Sequence, residues 1–322
     1  MNFQQLRYLC QVVDSGYNIT HAAYSLHTSQ PGVSKQLAAL ERELNVDILL
    51  RRGNRIVGYT EPGHAIVTVA RRMLEDAQSL HRIGNDFGLQ DAGRLVVGTT
   101  HTHARYVLPG VIQRFSKDYP HVQLVILQDN ESRIADRVSA GEIDIGITAE
   151  PPEPHKDLLS LPCYQLPRSV IVPHGHPLLS AKRLSLREIA RYPLISFDTS
   201  MAGGRKVMEA FSKAGLRPTV VMSAIDADVI KSYVRFGLGV AVLPTITYSP
   251  ERDDQLRARD ASALFEPTIA GLQIRRNHYL LRYMYDFIQA LAPQWTRQVL
   301  KRALETGQVP HRTPVTLTKE QI

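Results

Sequence analysis

From Asn18 to Asn45 the chain runs Asn-Ile-Thr-His-Ala-Ala-Tyr-Ser-Leu-His-Thr-Ser-Gln-Pro-Gly-Val-Ser-Lys-Gln-Leu-Ala-Ala-Leu-Glu-Arg-Glu-Leu-Asn, which reads as two short helices joined by a tight turn. Asn18 is a good N-cap, and Ile19, Ala22, Ala23 and Leu26 give the first helix an apolar face. His27-Thr28 breaks that face. Thr28 or Ser29 then caps a second helix, with Pro31 in the first turn, where a missing N–H costs nothing. Val33, Leu37, Leu40 and Leu44 recur at helical spacing and are expected to point inward, leaving Gln30, Ser34, Lys35 and Ala38 on the other face. Short polar groups beside a lysine suit a helix lying in a DNA major groove, where side chains must reach base edges and phosphates. A small helical hairpin with a solvated face has the same pattern, so the flanking residues have to decide.

They favour the groove. Phe3 to Asp14 carries Leu6, Leu9, Val12 and Val13 at helical spacing, a first helix for the other two to pack on. Val46–Leu50 and Ile56–Tyr59 are short apolar runs around Arg51-Arg52-Gly53-Asn54-Arg55, a hairpin with three arginines at its tip. A basic turn alone is ordinarily just solvated. Directly after this helix pair it reads as a wing, with Arg51, Arg52 and Arg55 placed to neutralise phosphates.

Charge agrees. The chain of 322 residues has a formal net charge of +7, with six basic and four acidic residues in 1–60 and five against two in 293–322. The surplus sits at the two ends, which fits nucleic-acid contact better than a uniformly basic enzyme would. Only Cys10 and Cys163 are present, so no disulfide framework is implied. No apolar run approaches the roughly 18 residues of a membrane span, and no signal segment is visible. A cytoplasmic protein is expected.

Thr60-Glu61-Pro62-Gly63 starts a further helix, with Thr60 as cap. Ile66, Val69, Met73, Leu80, Ile83 and Phe87 take successive a and d positions of a heptad, with Asp76 the one intrusion. That stripe is the seam of a two-helix coiled coil, and Gly88 to Gly93 is a natural hinge. From Arg94 the pattern becomes strand–helix–strand. Strands at 95–98, 122–127 and 143–147 alternate with helices at 106–119 and 132–140, a parallel half. A second half follows, with strands at 169–172, 194–197, 219–222 and 240–243 and helices at 186–190, 205–214 and 226–236. The strand 268–274 and helix 281–291 return to the first half, a short helix is expected around Trp295 to Leu304, and the polar tail beyond Thr306 is expected to be mobile. The expected fold class is α/β: a winged helix-turn-helix at 1–59, a linker helix and hinge at 60–92, and a two-lobed, periplasmic-binding-protein-like domain at 93–293. Lobe I comprises 93–163 and 265–293, lobe II 164–264, and a tail covers 294–322. Two such lobes place a ligand cleft between them.

This order of elements resembles the LysR-type transcriptional regulators. The carrying residues are Phe3-Gln4-Gln5-Leu6-Arg7-Tyr8, Thr28-Ser29-Gln30-Pro31-Gly32-Val33-Ser34-Lys35-Gln36-Leu37, Leu40-Glu41, Leu44 and Thr60-Glu61-Pro62-Gly63. Four further stretches are similar to the CysB-type subgroup, which governs sulfur assimilation: Thr99–Tyr106, Leu161–Tyr164, Asp226–Lys231 and Tyr283–Gln289. The resemblance implies an activator or repressor of sulfur-metabolism genes that binds promoter DNA as a dimer of dimers, works with RNA polymerase and senses a small anion. Sulfate, an acetylserine or an organosulfur compound would be that anion, and no cofactor or metal is implied. It places effector contacts at Thr100, Thr102, His103, Gln128, Ala149, Glu150, Leu166, Arg168, Ala202 and Gly203. Gln30, Pro31, Ser34 and Lys35 would enter the major groove while Arg51, Arg52 and Arg55 hold the backbone.

An anion is also physically reasonable, because Thr100 and Thr102 follow a strand where a helix begins and Gly203-Gly204 precedes a helix in the other lobe. The same residues serve equally as plain caps. Four positions depart from the subgroup, which has Gln, Thr, Trp and Thr where this chain has His103, Ala149, Leu166 and Ala202. Two hydroxyls and an aromatic wall are thereby lost, each a contact of order 1 kcal/mol. His103 adds an imidazole expected to pair with an anion in a pH-sensitive way, and Leu166 and Ala202 are expected to open room for a larger ligand, such as a sulfonate.

Other chemistry is poorly supported. His101-x-His103 and His174-x-His176 lack carboxylate or cysteine company at ligand spacing, so no metal site is expected. Gly237-x-Gly239 precedes a strand and lacks a third glycine, and no hydrolase, zincin or Walker sequence occurs. Cys163 is expected to be packed rather than nucleophilic. The competing classes are a regulator of another pathway with a non-sulfur organic anion, and a solute-binding protein or enzyme on the same two-lobed fold. The last would leave Asn18 to Tyr59 unexplained.

Overall fold

The computed structural model describes residues 1–53, 55–87, 92–149, 155–276, 278–311 and 313–317, and the chain divides into two compact units, Met1–Gln90 and Asp91–Ile322. In the first unit, α1 (Phe3–Asp14), α2 (Ile19–Ser25) and α3 (Gln30–Leu44) precede a hairpin of β1 (Leu49–Arg52) and β2 (Arg55–Tyr59), and then α4 (Glu61–Phe87). Side chains set the helix starts. Asn2 and Gln5 form a capping box on α1, Asn18 accepts from the His21 N–H, and Ser29 accepts from the Gly32 N–H. Asn45, left-handed at φ 52°, ends α3.

Leu6, Leu9, Val12, Ala22, Ala23, Val33, Leu37 and Leu40 meet in one core, closed by Ile48 and Ile56 of the hairpin region. Leu44 departs from the expected inward stripe and is exposed, since it lies in the last turn of α3, beyond the core. Thr60 sets the angle at which α4 leaves: its hydroxyl donates to the Asp47 carbonyl at 2.6 Å and accepts from the Gly63 N–H at 2.9 Å. Gly63 must be glycine, because a Cβ there would stand 2.1 Å from the Ile48 carbonyl oxygen.

Within its own unit α4 buries Val67 and Ala70 in the core, with Ile66 and Met73 of the heptad stripe half-buried beside them. Val69 and Leu80 of the stripe are exposed, and the side chains of Ile83 and Phe87 lie outside the described residues. The hinge read at Gly88 to Gly93 falls largely on residues 88–91, which also lie outside them.

The second unit holds two sheets. Its elements are β3 (Ala92–Thr99), α5 (His101–Tyr106), α6 (Leu108–Asp118), β4 (His121–Gln128), α7 (Glu131–Ser139), β5 (Ile145–Ala149), β6 (Leu158–Leu166), β7 (Arg168–Pro173), α8 (Leu186–Ile189), β8 (Leu194–Phe197), α9 (Ala202–Lys213), β9 (Val220–Ala224), α10 (Ala227–Arg235), β10 (Val240–Pro244), β11 (Leu256–Asp260), β12 (Thr268–Arg275), α11 (Arg282–Leu291), α12 (Arg297–Thr306) and β13 (Val315–Thr316). Lobe I is the sheet β13-β6-β12-β5-β3-β4 and lobe II the sheet β11-β7-β10-β8-β9. The chain passes from one to the other at Pro167 and returns just before Thr268. Both sheets are mixed: β3 is parallel to β4 and β5, whereas β12 is antiparallel to β5 and β6, and β7 is antiparallel to β10 and β11.

The helix expected around Trp295 to Leu304 is α12, and ahead of it Trp295 is fully buried, its indole N–H donating to the Pro162 carbonyl at 2.9 Å. Beyond Thr306, where mobility was expected from polarity, part of the tail is paired. β13 then adds a strand beside β6, pairing Val315 with Tyr164 and Thr316 with Gln165. Trp295 is the chain's single tryptophan. Replacing it with Ala is expected to cost about 3–5 kcal/mol in the unfolding of this unit, measured by urea titration followed by far-UV circular dichroism.

Candidate functional site

The polar face of α3 stands clear of the core. Gln30, Pro31, Lys35 and Ala38 are exposed, Ser34 is half-exposed, and the Gln30 amide donates to the Ser34 hydroxyl at 3.1 Å, aligning the two side chains one turn apart. Arg51, Arg52 and Arg55 are exposed on the hairpin, whose tip residue Asn54 lies outside the described set. The three arginines are not equivalent. The guanidinium of Arg51 donates to Glu41 at 3.0 Å, and the other oxygen of Glu41 accepts the Ile48 and Leu49 N–H groups at 3.0 Å each. One carboxylate thus fixes the hairpin to α3. Glu41 stood among the family residues, but its role depends on contacts across seven to ten residues that no local pattern shows.

Between the two lobes lies a cavity of about 30 Å³. It is lined by Thr100, Thr102, His103, Ala149, Leu166 and Gly203 from the sequence-read set, together with Glu131, Phe197, Met201, Pro244 and Thr268. Thr100 precedes α5 but makes no side-chain capping bond, so its hydroxyl is left for the cavity. α5 begins at His101, earlier than the helix read from Tyr106, and that early start points Thr102 and His103 inward. Phe197 and Met201 line the cavity beside Leu166.

His103 is only 3% exposed, and its Nδ1 pairs with the Tyr164 hydroxyl at 2.9 Å. Burial pushes its pKa down to about 4, so the imidazole is neutral near pH 7. The expected cationic partner for an anion is therefore replaced by a neutral hydrogen-bonding group. Arg168 does not line the cavity but lies behind it, fully buried. Its Nη2 donates to the Thr268 hydroxyl at 2.7 Å and its Nε to the Glu266 carbonyl at 3.3 Å, while Nη1 has no partner. Desolvation lowers its pKa to about 10, which still leaves it charged.

The remaining positions divide. Gln128 ends β4 exposed to solvent and does not line the cavity, because the strand's last residue faces away from it. Glu150 lies outside the described residues. Ala202 and Gly203 fall inside the first turn of α9 rather than before it, and the Ala202 N–H is taken by Glu131 at 3.3 Å. Gly204 answers to packing, since a Cβ there would stand 2.4 Å from the Asp198 carbonyl oxygen.

Beside the cavity the lobes are joined by a charged cluster. His101 places Nδ1 3.1 Å from Asp226 and Nε2 3.3 Å from Asp228, two carboxylates of lobe II that sequence spacing had not brought to it. Arg105, Tyr106 and Lys231 also reach Asp228, and Lys231 continues to Asp253 at 3.0 Å. His101, Asp226 and Asp228 could hold a metal by geometry, but Arg105 and Lys231 already neutralise Asp228. Burial opposes the charge of Asp228, yet hydrogen bonds from Tyr106 and Lys231 outweigh it and hold the carboxyl down at about 2. Cys163 is buried with its thiol pushed up to about 12, a packed residue and not a nucleophile.

A helix-turn-helix with a basic hairpin, followed by a two-lobed α/β unit with a cavity between its lobes, matches known families over most of the chain. Residues 3–64 match the bacterial regulatory helix-turn-helix protein, lysR family, and residues 89–296 the LysR substrate binding domain. The chain belongs to the LysR family. Among characterised relatives, it is 45% identical to the HTH-type transcriptional regulator SsuR of Burkholderia cenocepacia, over 91% of this chain and 95% of that protein. The HTH-type transcriptional regulator CysB of the same organism is 42% identical over 95% and 97%. The crystal structure of the cofactor-binding domain of the Cbl transcriptional regulator is similar to 66% of this LysR-family chain and covers 93% of that domain, at 33% identity and a TM-score of 0.64. Family and relatives are regulators and not enzymes.

His103 supplies a test of the buried wall. Its imidazole titrates near 6.5 when unfolded and about 4 when folded, so between those values the unfolded state takes up the proton first. Stability is full above 6.5 and falls as pH drops toward 4. His103→Gln is expected to flatten that fall, as measured by urea unfolding across the same pH range.

Proposed function

We propose that this LysR-family chain is a DNA-binding transcriptional regulator of sulfur-metabolism genes, governed by a small anionic metabolite held between its two lobes. The observation that carries the DNA-binding half is the surface shared by α3 and the hairpin. Gln30, Pro31, Ser34 and Lys35 stand on a helix face free of the core, and Arg52 and Arg55 flank it without any acidic side chain bonded to them among the described residues. That arrangement suits base edges on the helix and phosphates on the hairpin. The tether from Arg51 to Glu41 gives this arginine a positioning role besides any phosphate contact.

Support for the sulfur role comes from the relatives at 42–45% identity over nearly the whole chain, which fall in the CysB-type group that the residues themselves resemble. Sulfate, an acetylserine or an organosulfur compound is the effector class, and the threonine-lined cavity backed by Arg168 is its seat. The exposed Val69 and Leu80 of α4 are the apolar groups that a second copy of the chain covers in a dimer. Two dimers then present paired helices to promoter DNA, and RNA polymerase is the partner through which transcription responds. Effector shifts a pre-existing balance between arrangements of the two lobes.

The test uses duplexes selected from a random pool by the full-length protein. Lys35→Ala is expected to weaken binding by about tenfold or more in a gel-shift assay, and Ser34→Arg to abolish sequence preference. Unchanged binding in both would refute the assignment of α3. Affinity for the selected duplex should also fall steeply with salt, and Arg52→Ala should reduce that slope by about one.

A further inference from the structure

Among the described residues, Glu131 is the one acidic side chain in the cavity wall, and nothing in the sequence pattern placed it there. It opens α7 on lobe I and is 3% exposed, and one of its oxygens crosses to lobe II to accept the Ala202 N–H at the start of α9. Its own backbone N–H and that of Ala202 are its donors, no side chain among the described residues bonds it, and Arg205 acts on it only through space. A carboxylate withdrawn from water this far is costly unless a partner completes it. Burial accordingly pushes its pKa up.

The rest of the wall has the opposite character. Thr100, Thr102 and Thr268 bring hydroxyls, and Arg168 donates to the Thr268 oxygen from behind, so that hydroxyl is free to donate its own proton forward. Neutral His103 adds no charge that would cancel Glu131. A plain oxyanion in so small a space would be held by the threonines but would stand against a like charge in a water-poor site. A ligand carrying both signs meets a partner at each.

We propose that the effector carries a protonated amine as well as an acidic group, and that Glu131 is the residue that recognises the amine. The acidic group sits among the Thr100, Thr102 and Thr268 hydroxyls, and the ammonium donates to the Glu131 carboxylate, which no cationic side chain among the described residues bonds. The ligand class is a small zwitterion, an amino-sulfonate or an amino acid with a free α-amine, rather than an inorganic or acylated anion. The proposal rests on the reading of this cavity as the effector site and narrows it.

Two matched pairs of probes test it on the full-length protein by calorimetric titration. O-acetylserine and N-acetylserine are isomers that differ in whether the nitrogen is charged. 2-Aminoethanesulfonate and ethanesulfonate differ by the amine alone. In at least one pair the aminated member is expected to bind about 10- to 100-fold tighter, the range of a lost charged hydrogen bond. Glu131→Gln is expected to erase that gap, mostly by weakening the aminated member. The comparison within each pair needs no variant, so it stands even if Glu131→Gln misfolds. Equal or tighter binding of the uncharged-nitrogen members overturns the proposal and leaves Glu131 as a cap joining the lobes, and binding of none of the four also overturns it. Thr100→Val and Thr102→Val separate the two levels. If binding survives both substitutions unchanged, the cavity reading itself fails. If they abolish binding and no amine preference exists, only the role of Glu131 fails.

Discussion

Arg168 puts a positive charge wholly out of water at the point where the chain first leaves one sheet for the other. The guanidinium spans the double crossing: the residue opens β7, and its donors go to the Glu266 carbonyl and the Thr268 hydroxyl on the returning strand. No carboxylate compensates it among the described residues, and one nitrogen stays unpaired. An uncompensated buried cation is among the more expensive features a core can hold. Here the expense has a location, directly behind a wall of hydroxyls. The guanidinium orients the Thr268 hydroxyl toward the cavity without filling it, and the crossing strands cannot shift without disturbing it. The polarity of the site is thus built into the connection between the lobes and not laid on their surface.

A second cluster, at the edge of the cavity, works in the opposite way. Lys231 is buried but fully engaged, with the Asp253 carboxylate at 3.0 Å, the Thr247 carbonyl at 2.7 Å and Asp228 at 3.1 Å. Asp228 in turn collects His101, Arg105 and Tyr106 from lobe I. Charges here are balanced within the chain, so this cluster fastens the lobes without requiring a ligand. Behind the neighbouring cavity Arg168 keeps one nitrogen unpaired, and in its wall Glu131 is bonded by backbone N–H groups and by no side chain among the described residues. That contrast is what the proposed effector site rests on.

The parts of this architecture that show in the sequence are those governed by neighbours along the chain. Asn18 and Ser29 cap where their side chains and spacing require, and Pro31 falls in the first turn of α3. Lobe strands with continuous apolar runs fall within a few residues of their expected places. Features that no local pattern shows depend on contacts that are distant in sequence. Val67 and Ala70 bury because α1 lies against α4. Beyond Thr306 the tail is polar in composition, yet two of its residues pair with β6. Glu131 looks like any helix-opening acid, since a first-turn carboxylate ordinarily serves its own helix dipole. It matters because a second helix N-terminus, from the other lobe, lies opposite it. Gln128 shows the converse: a family-matched position whose strand end faces solvent here.

Both clusters meet on one six-residue helix. Successive residues of α5 turn by about 100°, so Thr102 and His103 face the cavity while His101, Arg105 and Tyr106 face α10. His103 also reaches Tyr164, on the strand whose free edge β13 covers. A short helix has few internal hydrogen bonds to resist displacement, and its position is set by what its side chains hold on either flank. Whatever completes the cavity wall pulls on the same backbone that carries the fastening to Asp226 and Asp228. Coupling between ligand and lobe arrangement therefore needs no long pathway. It requires only that two sets of partners compete to place six residues, and the chain has put them on adjacent faces of one turn and a half of helix.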